Sequence, residues 1–203
     1  MINVSEYIVS GIIEMYVWGI ASLEECVEVE EMAAKHQEVK TAIDSFGESL
    51  ENFAIANPIT PAATVKPFIM ATIDYTVRLE KGEAPSFPPI LHEKSQISDY
   101  GEWLDRTDMV LPKGMTDIYA KIIGYTPEAT TVIVWIRDLA PQEVHHDEYE
   151  RFLIVEGSCD ITIGSKVHSL VPGNMLSIPL YESHDVKITS SIPCKIILQR
   201  IAA

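Results

Sequence analysis

His145-His146-Asp147-Glu148-Tyr149-Glu150 runs directly into the apolar segment Arg151–Val155 and stops at Glu156-Gly157. Downstream stand Val171-Pro172-Gly173-Asn174, then Ile178-Pro179, then His184. Short apolar runs bounded by such turn residues are strand signals. The same signal occurs at Ile118–Tyr125, Thr130–Arg137, Cys159–Ile163 and from Cys194 to Ile201, punctuated by Thr126-Pro127, Gly164-Ser165 and Pro172-Gly173. Strands and turns in this density predict an all-β sandwich or barrel from about Asp117 to Ala203.

The chemistry of the opening stretch is that of metal ligands. Imidazole and carboxylate suit zinc, iron, manganese and nickel. His145, His146 and Glu150 beside one strand, with His184 from a later one, could converge inside such a fold. Paired histidines in an acidic loop also occur as plain solvated turns, so the residue types alone leave both readings open.

Upstream the periodicity changes. From Val4 to about Glu80 the chain reads as helix. Ser22-Leu23-Glu24-Glu25 is a capping box, in which the serine hydroxyl accepts from the Glu25 backbone N–H while Glu25 reaches back. Val39, Ile43, Phe46, Leu50 and Phe53 form a stripe at spacings of four and three. Asn57-Pro58 ends that helix, and a last one begins between Pro61 and Pro67, carrying Phe68, Ile69 and Ile73. Residues 82–98 contain Gly82, Pro85, Pro88 and Pro89 with little periodicity, which predicts a linker. The expected organisation is a helical domain over 1–81, a linker over 82–110 and a β domain over 111–203.

Two stretches resemble known families. Glu150, six intervening residues and Gly157 look like the end of the first cupin motif, and Pro172-Gly173, Ile178-Pro179 and His184 look like the second. The resemblance covers roughly residues 117–203. It implies a cupin β-barrel (a double-stranded β-helix, or jelly roll) whose metal ligands are His146, Glu150 and His184, with adjacent His145 as a fourth. The sequence departs from the pattern in one respect. The two first-motif histidines of cupins usually stand two apart, yet the residue two before His146 is Val144, and the residue two before His145 is Glu143. Zinc is the first expectation for the metal, with iron, manganese and nickel open.

Residues 7–56 are similar to the anti-sigma domain that holds extracytoplasmic-function sigma factors inactive. The likeness rests on Tyr16-Val17-Trp18-Gly19, on Ser22-Leu23-Glu24-Glu25 and on the order of about four helices. Zinc-binding members carry His-x3-Cys-x2-Cys. Here His36 is followed by Lys40 and Ile43 at those positions, so the resemblance is to a zinc-less version, with His36 read as a helix-boundary residue. A helical anti-sigma domain followed by a cupin is the arrangement of ChrR-type anti-sigma factors. It implies a sigma factor as partner and a cupin that acts as sensor rather than enzyme. A homodimer through either domain is compatible with this reading. The competing reading is a metal-dependent cupin dioxygenase or isomerase whose helical extension serves dimerisation; a third is a metal-free, ligand-binding cupin.

Charge and composition set bounds on both. A hydrophobic content of 47% with 22% charged residues belongs to a globular chain. The formal charge of −15 repels phosphate and argues against direct nucleic-acid binding, while it would attract a basic protein. Between Glu6 and Glu51, nine further acidic side chains are opposed only by Lys35 and Lys40. Solubility alone would also account for this charge. Cys26, Cys159 and Cys194 form no CxxC pair. Met1-Ile2-Asn3-Val4-Ser5-Glu6 lacks the basic start of a signal peptide, and the apolar stretch Ile8–Ile20 is short and interrupted by Glu14. The expectation is a cytoplasmic protein without a membrane partner.

Overall fold

The computed structural model describes residues 3–203; Met1 and Ile2, which open the N-terminal hexapeptide discussed above, lie outside the described residues. The chain divides into two units, one ending at Thr60 and the other running from Pro61 to Ala203.

The first unit contains α1 (Val4–Ile8), α2 (Ile12–Val17), α3 (Leu23–Lys35) and α4 (Gln37–Ala56). The expected capping box forms at α3: the Ser22 N–H donates to Glu25 at 2.7 Å and the Glu25 N–H to the Ser22 hydroxyl at 3.3 Å. His36, in extended conformation, is the residue at which α3 stops and α4 starts. The stripe on α4 fades along its length, from buried Val39 through half-buried Ile43, Phe46 and Leu50 to exposed Phe53. Among the described residues of this unit, only Ile13, Val29, Met32 and Val39 are buried hydrophobics, while Trp18, Leu23, Phe53 and Ile55 remain exposed.

The second unit begins with α5 (Val65–Glu80), followed by a 3-10 turn (Ile97–Tyr100) and α6 (Gly101–Leu104). Nine strands follow: β1 (Ile118–Tyr125), β2 (Ala129–Ile136), β3 (Leu139–Glu143), β4 (Glu148–Glu156), β5 (Cys159–Ile163), β6 (Lys166–Leu170), β7 (Met175–Ile178), β8 (His184–Ile188) and β9 (Cys194–Ala202). They form a five-stranded sheet, β1-β2-β9-β4-β7, and a four-stranded sheet, β3-β8-β5-β6, antiparallel throughout. The expected barrel is therefore corrected to a sandwich. The two sheets are not closed on each other, because β1 and β7 end one and β3 and β6 end the other.

Alternation along the strands assigns the two faces of the larger sheet. Val132, Val134, Ile136, Phe152, Ile154, Ile196 and Leu198 join Ile161 and Val186 of the smaller sheet in one core. Ile133, Trp135, Leu153 and Ile197 point the other way and are covered by Leu91, Tyr100, Trp103 and Met109. Residues 82–110, expected as a linker, thus form a strap over the sheet. Fully buried Gln199 anchors it, accepting from the Leu91 N–H at 2.7 Å and donating to the Pro89 carbonyl at 2.8 Å and the Thr131 hydroxyl at 2.9 Å. Arg151 of β4 donates to the Leu91 carbonyl, and Ser86 to the Ile123 carbonyl of β1. Prolines that disrupt periodicity here serve an ordered, irregular backbone.

The fifth helix also departs from expectation. It belongs with the sandwich, not with the helical unit. Ala71 and Tyr75, with Phe68 and Leu79 half-buried beside them, pack into the inter-sheet core. Arg78 donates to Asp74 at 2.9 Å, to Glu83 at 2.6 Å and to the Ile122 carbonyl of β1. The Gly157 turn after β4 requires glycine twice over. Its φ is +76°, and a Cβ would lie 2.7 Å from the Ser190 hydroxyl and 3.0 Å from the Cys194 Cα. Among the described residues, no helix is long and apolar enough to cross a membrane.

Candidate metal centre

Three strand ends bring the polar side chains of the sandwich together. β3 ends at Glu143, whose Cα partner across the sheet is His184, the first residue of β8. A short loop carries His145 and His146 into β4, where Glu150 stands between Ile178 of β7 and Arg200 of β9. Glu150 and His184 are each 3% exposed, and the His145 side chain is 10% exposed.

His145, Glu150 and His184 offer one ligand atom each, all within 4.8 Å of one another. Oε2 of Glu150 lies 3.0 Å from Nε2 of His184 and 3.5 Å from Nε2 of His145. Its other oxygen, Oε1, accepts from Nε of Arg200 at 3.0 Å. The carboxylate is thus divided, one oxygen facing imidazoles and the other a guanidinium. Burial alone would raise the Glu150 carboxyl, but His145, His184 and Arg200 outweigh it and hold the group well below the usual carboxylate range. The Glu150 carboxylate in turn raises the His145 imidazole, with burial opposing.

The donor set fits a metal on more than proximity. Nε2 of His145 and Nδ1 of His184 are buried without a hydrogen-bond partner. A buried polar atom left unpaired costs about 1–3 kcal/mol. For His145, that atom is the one aimed at Glu150, so a cation between them would remove the cost. Nδ1 of the same ring faces Oε1 of Glu148 at 3.5 Å. A carboxylate on the far ring nitrogen is the usual device for orienting a ligating imidazole.

His146 does not join this group. It is exposed, and its ring meets the edge of Tyr181 at 5.4 Å. Adjacent side chains in extended backbone point to opposite sides, and here the inward one is His145. The expected set of His145, His146, Glu150 and His184 is thereby corrected to His145, Glu150 and His184. Sequence reading also passed over Arg200 and Glu148. Arg200 follows the core residue Leu198 by two and so shares its face of β9, which was the available signal.

The cluster opens on an apolar cavity of about 30 Å³, which Ile118, Val134 and Phe152 help to line. That is room for at least one water molecule. Thr64 and Phe68 of the α5 region also line it.

No family model matches this sequence, and no curated protein matches it. Solved structures similar to part of the chain include the cupin domain of Cnp3 from Schizosaccharomyces pombe, at 10% identity and a TM-score of 0.42, covering 44% of this chain and 67% of that one. KdgF from Halomonas sp. is similar at 19% identity and a TM-score of 0.41, covering 46% and 87%. A predicted oxalate decarboxylase from Thermotoga maritima is similar at 13% identity and a TM-score of 0.43, covering 48% and 97%.

Proposed function

We propose that this chain is a metal-binding regulatory protein, whose cupin-like sandwich holds a divalent transition metal and whose helical unit grips a basic protein partner. The observation that carries the first half is the convergence of His145, Glu150 and His184 around an unpartnered, buried imidazole nitrogen. When bound, the metal supplies a Lewis-acidic coordination centre whose state a sensor can read. Zinc is the first candidate.

For the second half, the support is a helical unit with few buried side chains, several exposed large hydrophobics and a strongly acidic surface. Charge of one sign speeds encounter with a basic partner, and apolar anchors hold the complex afterwards. Together with the resemblance of residues 7–56, this makes an extracytoplasmic-function sigma factor the proposed partner, and anti-sigma action the proposed function. The test is recovery of the chain from its native cell, with mass spectrometry of what accompanies it. A sigma factor in stoichiometric amount supports the reading; a preparation free of any sigma factor overturns it.

The second reading is a metal-dependent enzyme, favoured by the apolar cavity beside the ligands. Turnover of any small organic acid or sugar by the metal-loaded chain would favour this alternative.

A further inference from the structure

Glu143 stands on the same inward side as His145, two residues before it, while Gln142, Val144 and His146 are exposed. An irregularity in the β3–β8 register between Ala140 and Glu143 brings it opposite His184, and such irregularities re-aim side chains beside functional sites. Its Oε2 lies 3.6 Å from Nε2 of His145, nearly the same separation as the 3.5 Å from Oε2 of Glu150 to that atom. The unpartnered nitrogen therefore faces two carboxylate oxygens, not one. Glu143 also lines the cavity with Glu150 and His184.

Charge points the same way. Glu143, Glu148 and Glu150 surround a single guanidinium, that of Arg200, at 3.3, 3.4 and 3.0 Å. One fixed positive charge among three carboxylates leaves room for a divalent cation, and partly buried like charges without one repel. Glu148 is directed to the other ring nitrogen of His145, so Glu143 is the second carboxylate on the Nε2 side of that ring. It stands outside the 4.8 Å cluster of His145, Glu150 and His184, and would reach a shared ion by rotation of its side chain.

We propose that Glu143 is a fourth protein ligand of this centre, giving two imidazoles and two carboxylates as the donor set. This rests on the reading of His145, Glu150 and His184 as a metal site. A second carboxylate makes the site harder, and it moves preference from zinc toward manganese and ferrous iron relative to an imidazole in the same place. Arg200, which holds Glu143 before the metal arrives, is a positioning residue.

The experiment titrates the full chain with Mn2+ and with Zn2+ by calorimetry, in wild type and in Glu143→Gln, Glu143→His, His184→Ala and Arg200→Gln variants, each checked for native circular dichroism. Loss of an outer-sphere partner of a bound metal already costs on the order of 10–100-fold in affinity. Glu143→Gln is expected to weaken Mn2+ by at least that much. Glu143→His should retain Zn2+ and raise the ratio of zinc to manganese affinity. If Glu143 acted only by holding Arg200, Glu143→Gln would cost nothing further in the Arg200→Gln background; as a ligand it costs about as much there. Unchanged affinity in Glu143→Gln, with binding lost in His184→Ala, overturns the ligand assignment and leaves the three-residue site standing. Absence of binding in wild type overturns both.

Discussion

The guanidinium of Arg200 lies over the ring of Phe68, 4.5 Å from its centre. One side chain thus touches both helix α5 and the carboxylate at the heart of the candidate metal centre, since Arg200 also donates to Glu150. A cation over an aromatic face contributes about 0.5–1 kcal/mol when exposed and about 2 when desolvated. Phe68 also helps to enclose the cavity beside the ligands.

Replacing it should therefore loosen the site and the fold together. Phe68→Ala is expected to lower the melting temperature and to speed removal of bound metal by a chelator. Phe68→Leu, which keeps apolar bulk but loses the ring, should recover most of the stability and little of the slow release. Identical release rates in all three proteins would show that α5 does not guard the centre.

The histidine pair offers a sharp contrast between neighbours. His145→Ala should abolish or severely weaken metal binding, whereas His146→Ala should leave stoichiometry and affinity unchanged, because His146 is exposed and packs only on Tyr181. Elemental analysis of both variants after identical purification decides it. Loss of metal in the His146 variant would reverse the assignment.

Gln199 ties the strap to the sheet, and its truncation should be costly. Gln199→Ala leaves the Leu91 N–H and the Thr131 hydroxyl without their partner, while the Pro89 carbonyl keeps the Tyr100 hydroxyl. At about 1–3 kcal/mol for each buried group left unpaired, urea unfolding should shift by several times its experimental error. Proteolysis between residues 82 and 110 should quicken before the rest of the sandwich becomes susceptible.

The strap also predicts where the chain can be cut. A fragment covering the second unit, residues 61–203, should fold on its own. One beginning near residue 100 loses α5 and Leu91, and with them cover from both faces of the larger sheet. It should aggregate or melt without cooperativity. Equal thermal transitions for the two fragments would contradict the packing described for α5 and the strap.

Acid should weaken the same region through Glu83. Its ion pair with Arg106 holds the carboxyl below its ordinary value against the opposing effect of burial, with Arg78 helping. A carboxyl lowered in the folded state binds fewer protons there than in the unfolded chain. Its contribution is present above the unfolded value of about 4.3 and is lost as pH falls through the lower folded one. Glu83→Gln should flatten the acid limb of the stability profile while leaving its slope above pH 6 unaltered. An unchanged acid limb would mean that the ion pair contributes nothing measurable.

Local chemistry was the readable part of this sequence. The Ser22–Glu25 cap is decided by side chains three residues apart, and β4 and β9 by the short apolar runs Phe152–Val155 and Ile196–Leu198, so both could be found without tertiary information. The choice between His145 and His146 could not, since it depends on which of two adjacent side chains the loop into β4 turns inward. The role of residues 82–110 was hidden for another reason. Their apolar anchors, Leu91, Tyr100, Trp103 and Met109, follow no period. The clue lay elsewhere, in Val132–Ile136, where an apolar run with no polar alternation requires cover on both faces. In the same way, α5 looks like one more amphipathic helix until its Phe68–Tyr75 face meets the sandwich.

The divided carboxylate of Glu150 has a consequence for what its nearest chemical relative would do. A glutamine there has one acceptor and one donor in place of two acceptors. Turned with its oxygen to Arg200, it would present its NH2 to the imidazole nitrogens, which accept when neutral. Both neighbours would be content, and the sandwich would have no reason to unfold. Yet the group now facing the ligand point carries hydrogens that a cation cannot approach. Glu150→Gln would thus separate scaffold from chemistry within a single side chain, yielding a native protein deaf to metal and an instrument for asking what the rest of the chain does when that voice is silenced.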